Sequence, residues 1–222
     1  MLSRLLLTAT LTATSVFAHA ASPVVPLEPN FKLDGKTAAD FGDAWWMWAQ
    51  SNPEDNDPVR DRSGSLCHVG QQGTVWFLAG GFGSSKIKRR CALAAGKHVF
   101  FPVVNMAYWP RSENNGYTCD QAKKNSAVNN DSALDLFVEV NGVPVKDVKR
   151  FRARSAQCFD IYQRIPADEK PYNAFPSASD GYWIMLPPLP KGTHTLKFGG
   201  RYKTDSAGGR MVQDIEYELV VQ

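Results

Sequence analysis

Apolar positions along the chain follow two periods in turn. From about Ala38 to Gln50 they recur at helical spacing, with Phe41, Ala44, Trp45 and Trp48 on one face. Thr37 can cap this helix, and Asp40, three residues on, completes a capping-box pattern that sets negative charge at the positive end of the helix dipole. Ser51-Asn52-Pro53 ends it, because proline disfavours helical backbone in the residue before it. Trp46 falls off the stripe, either under a neighbouring loop or presented as a stacking platform.

After Pro53 the pattern becomes strand-like and stays so to the C-terminus. Residues 73 to 79 and 98 to 104 are short apolar runs rich in aromatic and β-branched residues, the mark of buried strands. Between Leu134 and Val140 the alternation is clean, with Leu134, Leu136, Val138 and Val140 inward, and Asn141-Gly142 is a strong hairpin signal returning the chain through 143 to 145. Further strands fit 148 to 154, 181 to 186, 193 to 198 and 212 to 221, where Ile215, Tyr217, Leu219 and Val221 supply an apolar face; Asp180-Gly181 reads as a turn. About eight strands, one N-terminal helix and no internal repeat predict an all-β fold, a β-sandwich that could follow a jelly-roll path.

The N-terminus sets the chemistry available to this fold. Arg4 precedes an apolar run from Leu5 to Ala18, and Ala18-His19-Ala20 places small residues around a cut, so residues 1–20 read as an export signal cleaved after Ala20. The run is too short to span a bilayer. The expected product is a single β-sandwich domain, 21–222, periplasmic or secreted, opened by an extended lead-in through Pro23, Pro26 and Pro29. Loss of Arg4 takes the net charge from +3 to +2, with acids and bases interleaved, which argues against a nucleic-acid partner. Lys86, Lys88, Arg89 and Arg90 form the one dense basic run and read as a strand edge guarded by charge.

Export also makes the four cysteines, Cys67, Cys91, Cys119 and Cys158, candidates for disulfides rather than for metal or redox chemistry. Three connectivities are open. The favoured one joins Cys67 to Cys91 and Cys119 to Cys158, so that each bridge brackets one supersecondary unit.

A block of residues carries a resemblance: Trp45-Trp46-Met47-Trp48, Asn52-Pro53, Cys67, Gly70-Gln71, Val75 to Gly80, Cys91, Gly96-Lys97 and Phe101-Pro102, with Asp180-Gly181-Tyr182, Leu186 to Pro190, Gly192 to Leu196 and Phe198-Gly199-Gly200 in the tail. It resembles a family of exported bacterial proteins of no known activity. The resemblance implies one exported domain and supplies no catalytic residue, cofactor or metal.

Enzyme signatures are sparse. The Ser85-Lys86-Ile87-Lys88 match to Ser-x-x-Lys lies on a basic strand rather than at the start of a buried helix. His68, His98 and His194 would have to converge to hold a metal, and Asp55, Asp57 and Asp61 form an acidic loop that lacks EF-hand spacing. A hydrolase would need two of the loop carboxylates, such as Glu113, Asp120, Asp135, Asp160 and Asp180, to meet in a cleft. The long irregular stretch from Asn105 to Asp131 is the expected binding loop, because connections of that length are uncommon unless functional. Tyr108, Trp109, Arg111 and Tyr117 are its candidate ligand-binding residues. Flat apolar faces set among amides and carboxylates suit a glycan or an envelope protein, so the expected role is binding without catalysis, metal or cofactor.

Overall fold

In a computed structural model describing residues 23–83, 85–113, 116–203 and 211–222, the capping box at Thr37 forms as read. The Asp40 carboxylate accepts the Thr37 backbone N–H at 2.8 Å, and the Thr37 hydroxyl accepts the Asp40 N–H at 3.4 Å. Helix α1 then runs Ala38–Ala49. The export signal, Asn114 and Asn115 lie outside the described residues.

Nine strands follow among the described residues: β1 (Val75–Phe77), β2 (Ser85–Leu93), β3 (His98–Tyr108), β4 (Ala133–Val140), β5 (Val143–Pro144), β6 (Arg152–Arg154), β7 (Ala178–Leu186), β8 (Gly192–Tyr202) and β9 (Val212–Val221). They form two open, mixed sheets, ordered β1-β3-β7-β6 and β2-β9-β8-β4-β5. The β1–β3 and β2–β9 pairs run parallel and the other pairs antiparallel.

Strands β3 and β7 are buried on both faces, which is why their sequence reads as continuous apolar runs rather than as alternation. Val99, Phe101, Ile184 and Leu186 share one core with Leu196, Phe198, Tyr217 and Leu219 of the other sheet, and the Phe101 and Phe198 rings lie 4.6 Å apart. The opposite face of the first sheet takes the helix: Phe41, Trp45 and Trp48 cover Phe77, Phe100 and Trp183. Each of these rings contributes roughly 2–3 kcal/mol by leaving water. Gly42 permits the close seat, since a Cβ there would fall 2.9 Å from the Trp183 indole.

The five-stranded sheet shows the period of two. Ile215, Tyr217, Leu219 and Val221 of β9 point inward as expected. The hairpin forms at Asn141 and Gly142, whose φ values of 51° and 78° are the left-handed pair a tight turn requires. On the edge strand β2, Lys86, Lys88 and Arg90 face solvent opposite Asp214, Glu216 and Glu218 of β9, as a charge-guarded edge should. Arg89 departs from that reading: strand alternation turns it inward, to 2 % exposure.

Other departures have physical causes. The stretch from Asn105 to Asp131 is not an irregular loop. Strand β3 runs on to Tyr108, and a second helix, α2, occupies Cys119–Asn130. Its buried positions are Ala122, Ser126, Ala127, Asn129 and Asn130, small or polar residues that leave no apolar stripe to read. Residues 148 to 154 form a turn of 3-10 helix, Val148–Phe151, before the short β6. Asp180-Gly181 lies inside β7 rather than at a turn. The Asp180 carboxylate is paired there with Arg152 (2.9 Å) and Arg154 (2.8 Å). Burial raises the Asp180 pKa, while Arg152 and Arg154 act in the opposite direction. In β4 the register shifts between Leu134 and Phe137, so Ala133, Val138 and Val140 are the fully buried positions.

The bridges are Cys67–Cys91 and Cys119–Cys158, each with Cα atoms 5.8 Å apart. The first ties the loop before β1 to β2, and the second ties the start of α2 to the segment after β6. Two disulfides fit an oxidising compartment. Among the described residues no helix is long and apolar enough to cross a membrane.

Candidate binding cleft

The C-terminal half of α1, the turn that follows it and the end of β3 enclose a cleft of about 410 Å³. Helix α1 contributes Trp46 and Ala49, the turn contributes Glu54, Asp57 and Arg60, and β3 contributes Met106 before the chain leaves through Trp109 and Arg111. A smaller recess of about 150 Å³ shares Trp46, Phe82 and Met106 with the cleft and reaches Asn105 and Gln213.

The walls are fixed from behind by Arg89. Its guanidinium donates to the backbone oxygens of Asp61 (2.7 Å), Val59 (3.0 Å), Ala79 (3.1 Å) and Gly80 (2.7 Å), and to the Tyr217 hydroxyl (3.2 Å). One cation thus joins the turn carrying Asp57 and Arg60 to the loop carrying Phe82. A buried arginine is tolerable here because every partner is an aligned oxygen dipole. Gln213 clamps the same loop, donating to the Gly81 carbonyl and accepting the Gly81 N–H at 3.2 Å.

Trp46 is half-buried, its ring 5.3 Å from Trp45 and 6.4 Å from Trp109. It lies under the segment after β3 and also lines the cleft, which joins the two arrangements open to it in sequence. Its indole Nε1, the Asn105 Nδ2 and the Trp109 Nε1 are buried with no hydrogen-bond partner, as are Trp76 Nε1, Trp183 Nε1 and His98 Nδ1 away from the cleft. Such orphaned donors are rare in folded proteins and cost about 1–3 kcal/mol each when nothing satisfies them.

The four sequence candidates separate. Trp109 is 8 % exposed and packs with Ala107, Ile161 and Ala174, presenting only part of its indole to the cleft. Beside it Tyr162 has its hydroxyl pushed up to about 12, by burial first and then by the Tyr172 hydroxyl. Arg111 lies flat on Trp109, its guanidinium carbon 3.8 Å from the ring centroid. Tyr108 ends β3 opposite Ala178, away from the cleft. Tyr117 borders a separate shallow depression with Arg111 and Gln121, and its hydroxyl accepts from Asn125 at 3.1 Å. Trp109 and Arg111 are therefore brought together in the cleft, whereas Tyr117 meets Arg111 only in the neighbouring depression and Tyr108 lies apart. Asn105, Arg60 and Phe82 carry no signal in sequence, and Glu54 reads there only as part of an acidic loop, because only the fold brings the turn after α1 to the end of β3.

The two cleft carboxylates are engaged. Arg60 lies 3.1 Å from Glu54 and 3.5 Å from Asp57, and Asp57 also accepts the Val59 N–H at 2.8 Å. Burial raises the Asp57 pKa, opposed by the backbone N–H groups of Val59 and Arg60. His98 Nδ1 is buried without a hydrogen-bond partner, and several of the other ionisable candidates are engaged apart from one another. Lys88 pairs with Glu216 while Ser85 donates to the Phe82 carbonyl. Asp160 pairs with Lys170, Asp135 with Arg201, and Asp61 accepts from Ser63 and Leu66. His68 contacts the Ser65 carbonyl and His194 contacts Asn141 and Pro190. Among the described residues no three His, Cys, Asp or Glu side chains are grouped to hold a metal ion.

A comparison with protein-family models, curated proteins and solved structures finds no match to this chain.

Proposed function

We propose that the chain is an exported binding protein, a single sandwich-like domain over 21–222 released by cleavage after Ala20, whose Trp46–Trp109 cleft holds a saccharide. We read the scaffold as a sandwich without a jelly-roll path, because jelly rolls are antiparallel and two strand pairs here are parallel. The observation that carries the binding reading is the set of unpartnered donors, Trp46 Nε1, Trp109 Nε1 and Asn105 Nδ2, gathered behind the apolar faces of Trp46, Phe82 and Met106. A sugar offers what that surface lacks: ring and hydroxyl oxygens that accept hydrogen bonds, and an apolar face that packs on an aromatic ring. The cleft volume falls within the roughly 300–1,000 Å³ usual for small-ligand sites.

A hydrolase would use Glu54 and Asp57, the carboxylates that meet in the cleft. Arg60 pairs with both, and the two oxygens of Asp57 are already committed to Arg60 and to the Val59 N–H. This favours binding over general acid–base chemistry. An envelope protein would need on the order of 800 Å² of contact on this side, whereas the large exposed apolar residues Phe82, Phe137 and Phe175 belong to different parts of the chain.

The test is intrinsic fluorescence of the mature protein titrated with a panel of neutral and acidic oligosaccharides. Saturable quenching that Trp46→Ala abolishes, with the fold intact by circular dichroism, supports the reading. No response to any saccharide, or a response unchanged in Trp46→Ala, refutes it.

A further inference from the structure

We infer that a second recess, at the free edge of β1, receives the carboxyl end of an extended peptide, with Arg164 as the residue that holds the carboxylate. The recess encloses about 370 Å³ and shares no lining residue with the cleft, so the inference stands apart from the saccharide reading.

The charge in the recess comes from Arg164. This side chain is half-buried, 5.9 Å from the centre of the Phe77 ring, and donates to the Gly70 carbonyl at 3.3 Å. It makes no ion pair with any described residue. Burial alone pulls its pKa down, with no carboxylate acting on it. The other charges of the recess are engaged locally: Asp34 accepts the Thr74 hydroxyl at 2.7 Å, and Lys36 acts on Asp40, the capping acid of α1. A partly desolvated guanidinium with one carbonyl for a partner is best satisfied by a carboxylate, because its planar N–H edge matches two oxygens.

The backbone of β1 indicates what carries that carboxylate. In the parallel pairing with β3, the His98 N–H donates to the Thr74 carbonyl and the Leu78 N–H donates to the Phe100 carbonyl. Residues 74, 76 and 78 therefore face β3, and the N–H and C=O groups of Val75 and Phe77 point away from it. Those of Phe77 are closed off by the Gln71 side-chain amide, which donates to the carbonyl and accepts the N–H, both at 2.8 Å. Those of Val75, which lines the recess, have no partner among the described residues. An edge strand with one open pair can take one residue of another extended chain. Phe41, Ala44 and Phe77 form an apolar wall beside it, a seat for a non-polar terminal side chain. The peptide thus sets its backbone against Val75 and its carboxylate at Arg164, whereas a free organic acid would leave the Val75 pair unused.

The experiment titrates the mature protein into fluorescein-labelled pentapeptides ending in leucine, as the free acid and as the C-terminal amide, and reads anisotropy. The acid is expected to bind roughly tenfold tighter than the amide, the scale of one charge-assisted contact. In Arg164→Gln, with the fold intact by circular dichroism, that ratio should collapse to near one. A purely structural role for Arg164 would weaken both forms and leave their ratio intact, which would overturn the assignment. N-methylating the peptide amides one at a time tests the backbone pairing on the wild-type protein, whatever the variant does. Methylation at the residue facing Val75 should weaken binding about tenfold and methylation near the label should not. A scan with no sensitive position, or hexanoate displacing the peptide at equal concentration, would show that a carboxylate is bound without a peptide and would overturn the inference. Equal binding of acid and amide, or saturable binding of neither, would overturn it as well.

Discussion

Replacing Asp43 by asparagine should stabilise this protein at neutral pH. Asp43 lies in the middle of α1 and accepts the hydroxyls of Ser155 (2.5 Å) and Ser179 (2.7 Å), so it docks the helix onto β7 and the segment after β6. Burial pushes its pKa from the usual 3.8 up to about 6, against the opposing pull of the two serines. An acid whose pKa is raised by folding is protonated in the native state while the unfolded chain is already ionised. Stability therefore falls as pH rises from about 4 to about 6 and stays lowered above that. A shift of about two pKa units corresponds to roughly 3 kcal/mol. Because Asp43 keeps some contact with water, we expect about 1–3 kcal/mol. An asparagine oxygen can still accept both serine hydroxyls and carries no charge to desolvate. In urea unfolding, Asp43→Asn should match the wild type near pH 3.5 and exceed it by about 1–3 kcal/mol at pH 7.5, or by roughly 3–8 °C in Tm. A variant that is equal or weaker at pH 7.5, or a difference that does not change with pH, would refute the reasoning.

Arg89→Met should lower stability by at least about 3 kcal/mol in urea unfolding, since it strands the carbonyls of Val59, Asp61 and Gly80 and leaves that of Ala79 only the Tyr217 hydroxyl. Hydrogen exchange at 57–61 and 79–83 should then accelerate more than exchange in β8; uniform acceleration would count against Arg89 as the tie between the cleft walls. Gly199→Ala places a Cβ 1.9 Å from the Gln213 carbonyl oxygen across the β8–β9 ladder. It should cost roughly 2–4 kcal/mol by forcing the strands apart, so an unchanged melting temperature would contradict the packing described here.

The legible parts of the fold were those where one chemical preference acts alone. The α1 capping box, the Asn141-Gly142 turn and the β9 alternation are local patterns, and each formed where its residues required it. The disulfide pairing followed from assigning each bridge to one supersecondary unit. Helix α2 was missed because its inward positions are small and polar, although Thr118 and Gln121 spell a second capping box that sequence could have shown. Arg89 was read with its basic neighbours as surface. Strand alternation alone would have turned it inward, but only the assembled fold supplies the five oxygens that make its burial tolerable. The cleft was half legible. Trp109 and Arg111 lie within one short segment, whereas Asn105 and Trp46 meet only because α1 docks on the sheet that carries β3, a consequence of tertiary packing.

The central claim, that the Trp46–Trp109 cleft is where ligand binds, is tested most directly by the indole N–H resonances of the six tryptophans. Trp48 already donates to the Val69 carbonyl at 2.9 Å, Trp183 packs behind Trp45 without lining the cleft, and Trp76 lies in another part of the structure. On titration with a saccharide that binds, the Trp46 and Trp109 signals should shift furthest, while Trp48, Trp76 and Trp183 stay in place. Saturable shifts centred on Trp76, or none at Trp46, would contradict the account.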